Sequence, residues 1–327
     1  MRTTALGALA LGFAPRVATK THGSKSTPTP KTAYIYDKRF LEHLIQKGHP
    51  ESPDRLVAIQ WELRRSGVLR ELDAVDLSPE PLSAIRLNHT AEHVAEISRH
   101  KASEYIARLA VAGAVAAVDA VLSGTTRNAF CALRPPGHHA RNTGRPEGFC
   151  YYNNIAIAAR HAQKEHGLRR ILIIDWDYHH GNATEEAFYD DPSVLFFSTH
   201  DRRAYPGTGH PSRTGSGDGE GYTINVHCRC GTSDDDMYRI WEKRLLPAVD
   251  RFRPELVLIS AGFDSRKEDP LGCFRLTDIG FSGLTRMAMT IAKSHCAGKL
   301  VSVLEGGYNI KGLATAATAH VQTLLDE

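Results

Sequence analysis

The chain has 327 residues, 42% hydrophobic and 24% charged, enough to bury a large core as one α/β domain or to divide into two. Lys plus Arg number 40 against 37 Asp plus Glu, a formal net charge of +3, which argues against an electrostatic grip on nucleic acid by the chain itself. The six cysteines (Cys131, Cys150, Cys228, Cys230, Cys273, Cys296) include no CxxC pair and several lie in apolar runs, so they are expected to pack as small hydrophobes, with a Cys228–Cys230 clip as the lesser alternative.

Residues 1–32 hold one early Arg, a short apolar run (ALGALALGF) and a Ser/Thr/Pro-rich stretch. The run is too short to span a bilayer as a helix. It resembles the later part of a bacterial twin-arginine export signal without the arginine pair, which implies a periplasmic protein; the alternative is a cytoplasmic protein with an inconsequential tail. Residues 33–327 show no linker, repeat or low-complexity break and read as one domain.

Along that domain, helical patterns at 53–69, 89–124, 153–167, 234–252 and 277–295 alternate with short apolar runs at 128–134, 169–177, 193–200, 255–264 and 299–307. The alternation predicts a parallel sheet covered by helices, and the continuously apolar strands suit burial on both faces. Four strands end in polar residues. NAFCALR runs into Pro135, Pro136, Gly137, His138 and His139; ILII into Asp175, Asp177, His179 and His180; ELVLISAGF into Asp264; LVSVLEGG into Tyr308. In open α/β sheets ligands bind outside the carboxyl ends of the strands, so these termini are expected to converge.

Alternate side chains of an extended segment share a face, which places Asp175, Asp177 and His179 on one side and Trp176 and Tyr178 on the other. Asp177, His179 and Asp264 then make a three-ligand N/O site with an open position, the pattern of catalytic zinc. Two carboxylates balance a divalent charge and leave Lewis acidity for a carbonyl and a water. Iron(II) accepts the same donors. His200, His210 and His227 read as ordinary core or surface histidines. The glycine-rich stretch GTGHPSRTGSGDGEG has no strand leading into it and reads as a tight-turning loop, not a dinucleotide loop.

The segments RPPGHHA, GFCYYNNIAIAA, DWDYHHGNATEEAF, YPGTG, AGFDSRKEDPLG and EGGYN, in this order, resemble the zinc-dependent histone deacetylase superfamily, which includes acetylpolyamine amidohydrolases. HPESPDR, Asn182 and EGGYN resemble its class II branch, bacterial members included. The resemblance covers nearly the whole chain after residue 33. It implies the arginase/deacetylase-type open, mostly parallel sheet of roughly eight strands flanked by helices.

Residue by residue, the resemblance makes Asp177, His179 and Asp264 the zinc ligands. It makes His138 and His139 the tandem histidines, with His139 as general base, His138 an electrostatic partner oriented by Asp175, and Asn182 orienting His139. Tyr308 matches the tyrosine that hydrogen-bonds the oxyanion. Phe149 and Tyr205 match the aromatic walls around an acyl-lysine stem, Tyr205 replacing the more usual Phe, and Gly148 the residue whose carbonyl meets the substrate amide. A structural K+ or Na+ is implied on backbone oxygens of Asp175, Asp177, His179 and Thr199 and the side chains of Asp175 and Ser198. A second such site, around Phe188, Asp191, Val194 and Tyr222, matches more loosely, and Arg55 matches the arginine near an internal channel. Leu271 in DPLG matches a gatekeeper that is leucine in lysine deacetylases and glutamate in the polyamine-specific enzyme.

One departure stands out: between LNHTAEHV and LRPPGHHA the chain is shorter than is usual in the family, and no segment matches the rim stretch that fixes a peptide backbone. The expected function is zinc-dependent hydrolysis of N-acetyl-lysine in proteins or peptides, with small acetylated amines such as acetylpolyamines as the alternative substrates. No membrane span is expected, and the sequence is silent on oligomeric state. Two other readings share the fold. A binuclear manganese ureohydrolase would need further bridging aspartates that DWDYHHGN lacks, and a silent acyl-lysine-binding module would not need every catalytic position intact.

Overall fold

The computed structural model describes residues 32–78 and 81–327, together with Met1 and Thr3; the export-like segment lies almost entirely outside the described residues. Eight strands form one sheet: β1 (Thr32–Ile35), β2 (Asp73–Ala74), β3 (Asn128–Cys131), β4 (Ile171–Asp175), β5 (Val194–Asp201), β6 (Thr223–Cys228), β7 (Leu256–Ala261) and β8 (Leu300–Leu304). Their order is β2-β1-β3-β8-β7-β4-β5-β6, and every pairing is parallel, so all strand carboxyl ends share one edge. The four strands with polar termini, β3, β8, β7 and β4, are consecutive neighbours at its centre. Every residue of β3, β4, β7 and β8 is buried, which explains why these runs show no apolar/polar alternation.

The helices are α1 (Asp54–Ser66), α2 (Pro81–Ile85), α3 (Ala91–Ile97), α4 (Lys101–Leu122), α5 (Asn154–His166), α6 (Asn182–Ala187), α7 (Asp234–Ile240), α8 (Leu246–Phe252), α9 (Asp278–Cys296) and α10 (Ile310–Asp326). The single helix expected over 89–124 is two. Thr90 caps α3 by accepting from His93 N, and Ser98 Oγ donates to Ala95 O at 2.6 Å, a local bond that competes with helix continuation before α4 starts. α4 is long and apolar enough to cross a membrane, yet most of its apolar stretch is buried against β1, β3, β8 and α5, as suits a core helix. α7 and α8 are joined by the wider π-type turn Trp241–Leu245, so the pattern at 234–252 is one bent element. α2, α6, α10, β1, β2 and β6 were not anticipated as elements. β6 is only partly buried at the sheet edge, and its Ile224, Val226 and His227 give a weak apolar signal.

Trp176 points away from the strand-end face and stacks on Trp241 at 6.0 Å and edge-on to His320 at 5.4 Å, inside the core. This is the opposite facing of Trp176 and its aspartate neighbours that the alternation predicts. The six cysteines are free. Cys228 is buried and Cys230 exposed, and Cys230 Sγ instead meets Cys273 O at 3.4 Å, so the Cys228–Cys230 clip is not formed.

Candidate active site

Five segments leaving the carboxyl edge of the sheet build the site. At the end of β4, Asp175 stays buried and turns its Oδ2 to His138 Nδ1 at 3.0 Å. Asp177 and His179 follow, with His179 Nδ1 3.2 Å from Asp177 Oδ1 and 3.0 Å from Asp264 Oδ2. Each carboxylate is anchored through backbone amides: Asp177 Oδ2 accepts from Gly306 N at 2.8 Å, and Asp264 Oδ1 accepts from Tyr178 N at 2.8 Å. The remaining oxygens face His179. These donor atoms lie within 4.8 Å of one another, a constellation that could hold one metal ion.

The residues fit a divalent cation. Burial and then the charge of Asp177 push Asp264 up to about 7, since two carboxylates lie together out of water. Burial opposes a charge on His179, but its hydrogen bonds to Asp177 and Asp264 raise it to about 10. The corner thus favours positive charge between two carboxylates. Its two oxygens and one nitrogen are the donor set of a catalytic zinc site rather than a closed, thiolate-rich one.

The tandem histidines leave β3 side by side, ring centroids 4.0 Å apart, in opposite electrostatic settings. Burial lowers His138, but the charges of Asp177, Asp175 and Glu305 outweigh it and hold the imidazole well above its ordinary value. Burial, and next the adjacent His138 charge, bring His139 well below its own. His139 Nδ1 lies 2.7 Å from Asn182 Oδ1, an acceptor, so Nδ1 carries the proton and Nε2 keeps its lone pair. Asn182 can do this because it opens α6 directly after the β4 loop.

Tyr308 is brought in by the turn after β8, which is clamped from both sides. Arg55 Nε donates to Gly307 O at 2.7 Å, with its guanidinium 5.1 Å from the Tyr308 ring, while Asp269 Oδ2 accepts from Tyr308 N at 2.6 Å and Asn309 N at 3.0 Å. Asp269 Oδ1 also accepts from Leu271 N at 2.9 Å. Burial pushes the Tyr308 hydroxyl well above its ordinary value, against the nearby Arg55, so it stays a proton donor.

Above these groups lies a cavity of about 380 Å³ lined by His139, Gly148, Phe149, His179, Tyr205, Leu271 and Tyr308. Phe149 stands edge-on to Tyr308 at 6.1 Å and to His49 at 4.5 Å, and Tyr205 edge-on to His139 at 4.9 Å. Gly148 has φ +52°, and a Cβ there would lie 2.2 Å from the His139 ring, so only glycine lets this strap close over the histidine. All four positions singled out in the sequence for substrate contact line the one cavity.

Of the proposed monovalent-cation positions, Ser198 and Thr199 are buried on β5 beside Asp175, and Ser198 Oγ lies 2.9 Å from His200 Nδ1. At the looser second position, the Asp191 side chain is engaged by Arg160 and Ser193. Two residues of the site were missed. Glu305 accepts from Gly137 N at 2.7 Å and His138 N at 3.2 Å, fixing the histidine loop, and Asp269 holds the Tyr308 turn. Glu305 directly follows β8 as the first residue of EGGYN, a position that could have flagged it. Asp269 bonds a turn 39 residues away, which no local pattern signals.

Residues 49–324 match the histone deacetylase domain. The chain is 39% identical over 297 residues to a probable deacetylase of Archaeoglobus fulgidus, covering 86% of this chain and 82% of that protein. It is 38% identical over 333 residues to histone deacetylase 15 of Arabidopsis thaliana, covering 94% of this chain but 59% of the plant protein. Among solved structures, the crystal structure of the HDA15 HD domain superposes with a TM-score of 0.86 at 37% identity, covering 91% of this chain and 89% of that one.

Proposed function

The chain belongs to the histone deacetylase domain family, whose zinc-dependent hydrolysis of acetyl amides is its activity, and from that premise we propose that it removes acetyl groups from N-acetyl-lysine in peptides of varied sequence. The observation that carries the substrate reading is the lining of the cavity: aromatic walls, Leu271 at the mouth and no carboxylate among its lining residues. A neutral acyl-lysine stem packs there, whereas a second ammonium group would find no opposite charge.

Asp177, His179 and Asp264 would hold the zinc ion, which would supply Lewis acidity to the scissile carbonyl and to a water. The chain's own groups supply the rest of our reading. His139, neutral and with Nε2 free, takes the water's proton as general base, and Asn182 keeps it in that tautomer. His138, paired with Asp175, keeps its positive charge beside the developing negative charge. The Tyr308 hydroxyl donates a hydrogen bond to the oxyanion. Phe149 and Tyr205 flank the stem and the Gly148 carbonyl receives its amide. Asp175, Asp177, His179, Ser198 and Thr199 would hold a K+ or Na+, which would lend structural support to the β4 loop. The strand ends offer a single three-donor group among the described residues, which supports one catalytic metal ion over a manganese pair.

The test is catalytic efficiency for an acetyl-lysine peptide and for acetylspermidine, in the wild type and in Leu271→Glu. The reading expects the wild type to prefer the peptide, and the glutamate to shift the ratio towards the polyamine by roughly 1 kcal/mol, about fivefold or more. A wild type that already prefers the polyamine would assign the site to small acetylated amines instead.

A further inference from the structure

The loops that hold the active site leave the carboxyl edge of the sheet. The opposite edge carries a second cluster of donor atoms. α4 ends at Leu122 shortly before β3 begins, and α5 ends at His166 shortly before β4 begins, so the last turns of both helices lie at the end of the sheet remote from the site. There Asp119 of α4 meets His161 and His166 of α5. His161 Nε2 and His166 Nε2 each lie 2.7 Å from Asp119 Oδ1, the two rings are 5.7 Å apart at 70°, and all three donor atoms fall within 4.8 Å of one another. Histidines five apart project roughly 140° apart around a regular helix. Both nitrogens reach one oxygen because His166 is the last residue of α5, before Gly167 turns left-handed.

We propose that Asp119, His161 and His166 form a second metal site, for a divalent transition ion of the zinc, nickel or copper(II) type. Two imidazoles and one carboxylate are the donor set such ions take, and the softer imidazole nitrogens disfavour calcium and magnesium, hard ions that take oxygen ligands. Ligands on zinc with bonds of about 2.0–2.1 Å sit roughly 3.3 Å apart in a tetrahedron. The separations here are 2.7 Å, against 3.0 and 3.2 Å between the strand-end donors. The three side chains are 46%, 12% and 26% exposed, and Asp119 and His166 lie in the last turns of their helices, so the cluster can open by the roughly 0.6 Å required. A cavity of about 430 Å³ beside them, lined in part by Ser78, Leu87 and Val115, has room for water in the remaining positions. The other charged groups facing it, Lys164 and Glu165, pair with each other at 3.6 Å and leave the Asp119 charge for the ion. Distance from the catalytic loops makes the ion a clasp between α4 and α5 and not a participant in hydrolysis.

The experiment is equilibrium dialysis of tag-free, zinc-loaded protein against buffered free zinc, with bound metal counted by mass spectrometry and turnover measured in parallel. Two equivalents are expected in the wild type and one in His161→Gln/His166→Gln, with deacetylase turnover within about twofold of wild type. Asp119→Asn and His166→Gln alone should each weaken the second equivalent, and free zinc should raise the melting temperature of the wild type but not of the double variant. A wild type that holds a single equivalent across the zinc range would overturn the proposal. So would a second equivalent that survives in the double variant while turnover and the first equivalent show that variant to be folded.

Discussion

Asp269→Asn separates the positioning of Tyr308 from its chemistry. In the wild type one buried carboxylate accepts from three backbone amides, at Tyr308, Asn309 and Leu271. An asparagine side chain offers one oxygen and one NH2 group. With the oxygen towards Tyr308 and Asn309, the NH2 faces Leu271 N, donor against donor; flipped, it faces the other two. A hydrogen bond to a charged group is worth about 1.5–3 kcal/mol and a neutral one about 1 kcal/mol, and an orphaned buried N–H costs about 1–3 kcal/mol. Against that, asparagine relieves the burial of a charge, which already raises the Asp269 carboxyl above its usual range. The net expectation is a loss of about 1–3 kcal/mol of stability, a few degrees in Tm. Arg55 still grips the Gly307 carbonyl, so the turn loosens rather than unfolds. Removing an oxyanion donor outright costs about 10²–10³ in kcat, so a displaced donor should cost about 10- to 100-fold. The assay is kcat and KM with an acetyl-lysine peptide, together with zinc content, in Asp269→Asn, Tyr308→Phe and the double variant. If Asp269 acts through Tyr308, it costs little once the hydroxyl is gone. Wild-type kcat in Asp269→Asn, or full additivity in the double variant, would refute the reasoning.

Asp264→Ala removes one of three donors and should abolish activity by loss of metal; full zinc occupancy by elemental analysis would remove Asp264 from the ligand set. Tyr308→Phe should lower turnover about 10²-fold or more with metal content unchanged, since only a hydroxyl is lost. Stability should fall on acidification. Burial brings His320 and His89 down to about 3 and His43 to about 4, each below the unfolded value of about 6.5, so below pH 6.5 the unfolded chain takes up protons that the fold refuses. Each group contributes up to about 1.4 kcal/mol per pH unit until its folded value is reached, a slope visible as falling Tm between pH 6.5 and 4. A flat Tm over that range would contradict the burial of these rings as neutral groups.

The sequence by itself determined whatever is set by residues near one another. Continuous apolar runs marked the buried strands because a strand covered on both faces has no solvent side to encode. Alternation put Asp177 and His179 on one face, opposite Trp176, because the pleat repeats every two residues. The polar strand ends marked the functional edge because parallel strands all finish on the same side. Tertiary structure decided what depends on distant partners. The order of the strands made β3, β8, β7 and β4 neighbours. Arg55, Glu305 and Asp269 became supports of the site through bonds spanning 252, 168 and 39 residues, with each partner atom on a backbone whose position no local pattern carries. The edge strand β6 escaped the sequence reading because half-buried side chains give weak periodicity, whereas α10, also passed over, carries a legible apolar stripe that packs against α1 and α9. The opposite protonation preferences of His138 and His139 lie furthest beyond the sequence. The two rings are adjacent in the chain and equally buried, and they differ because the fold brings carboxylates to one and an amide to the other.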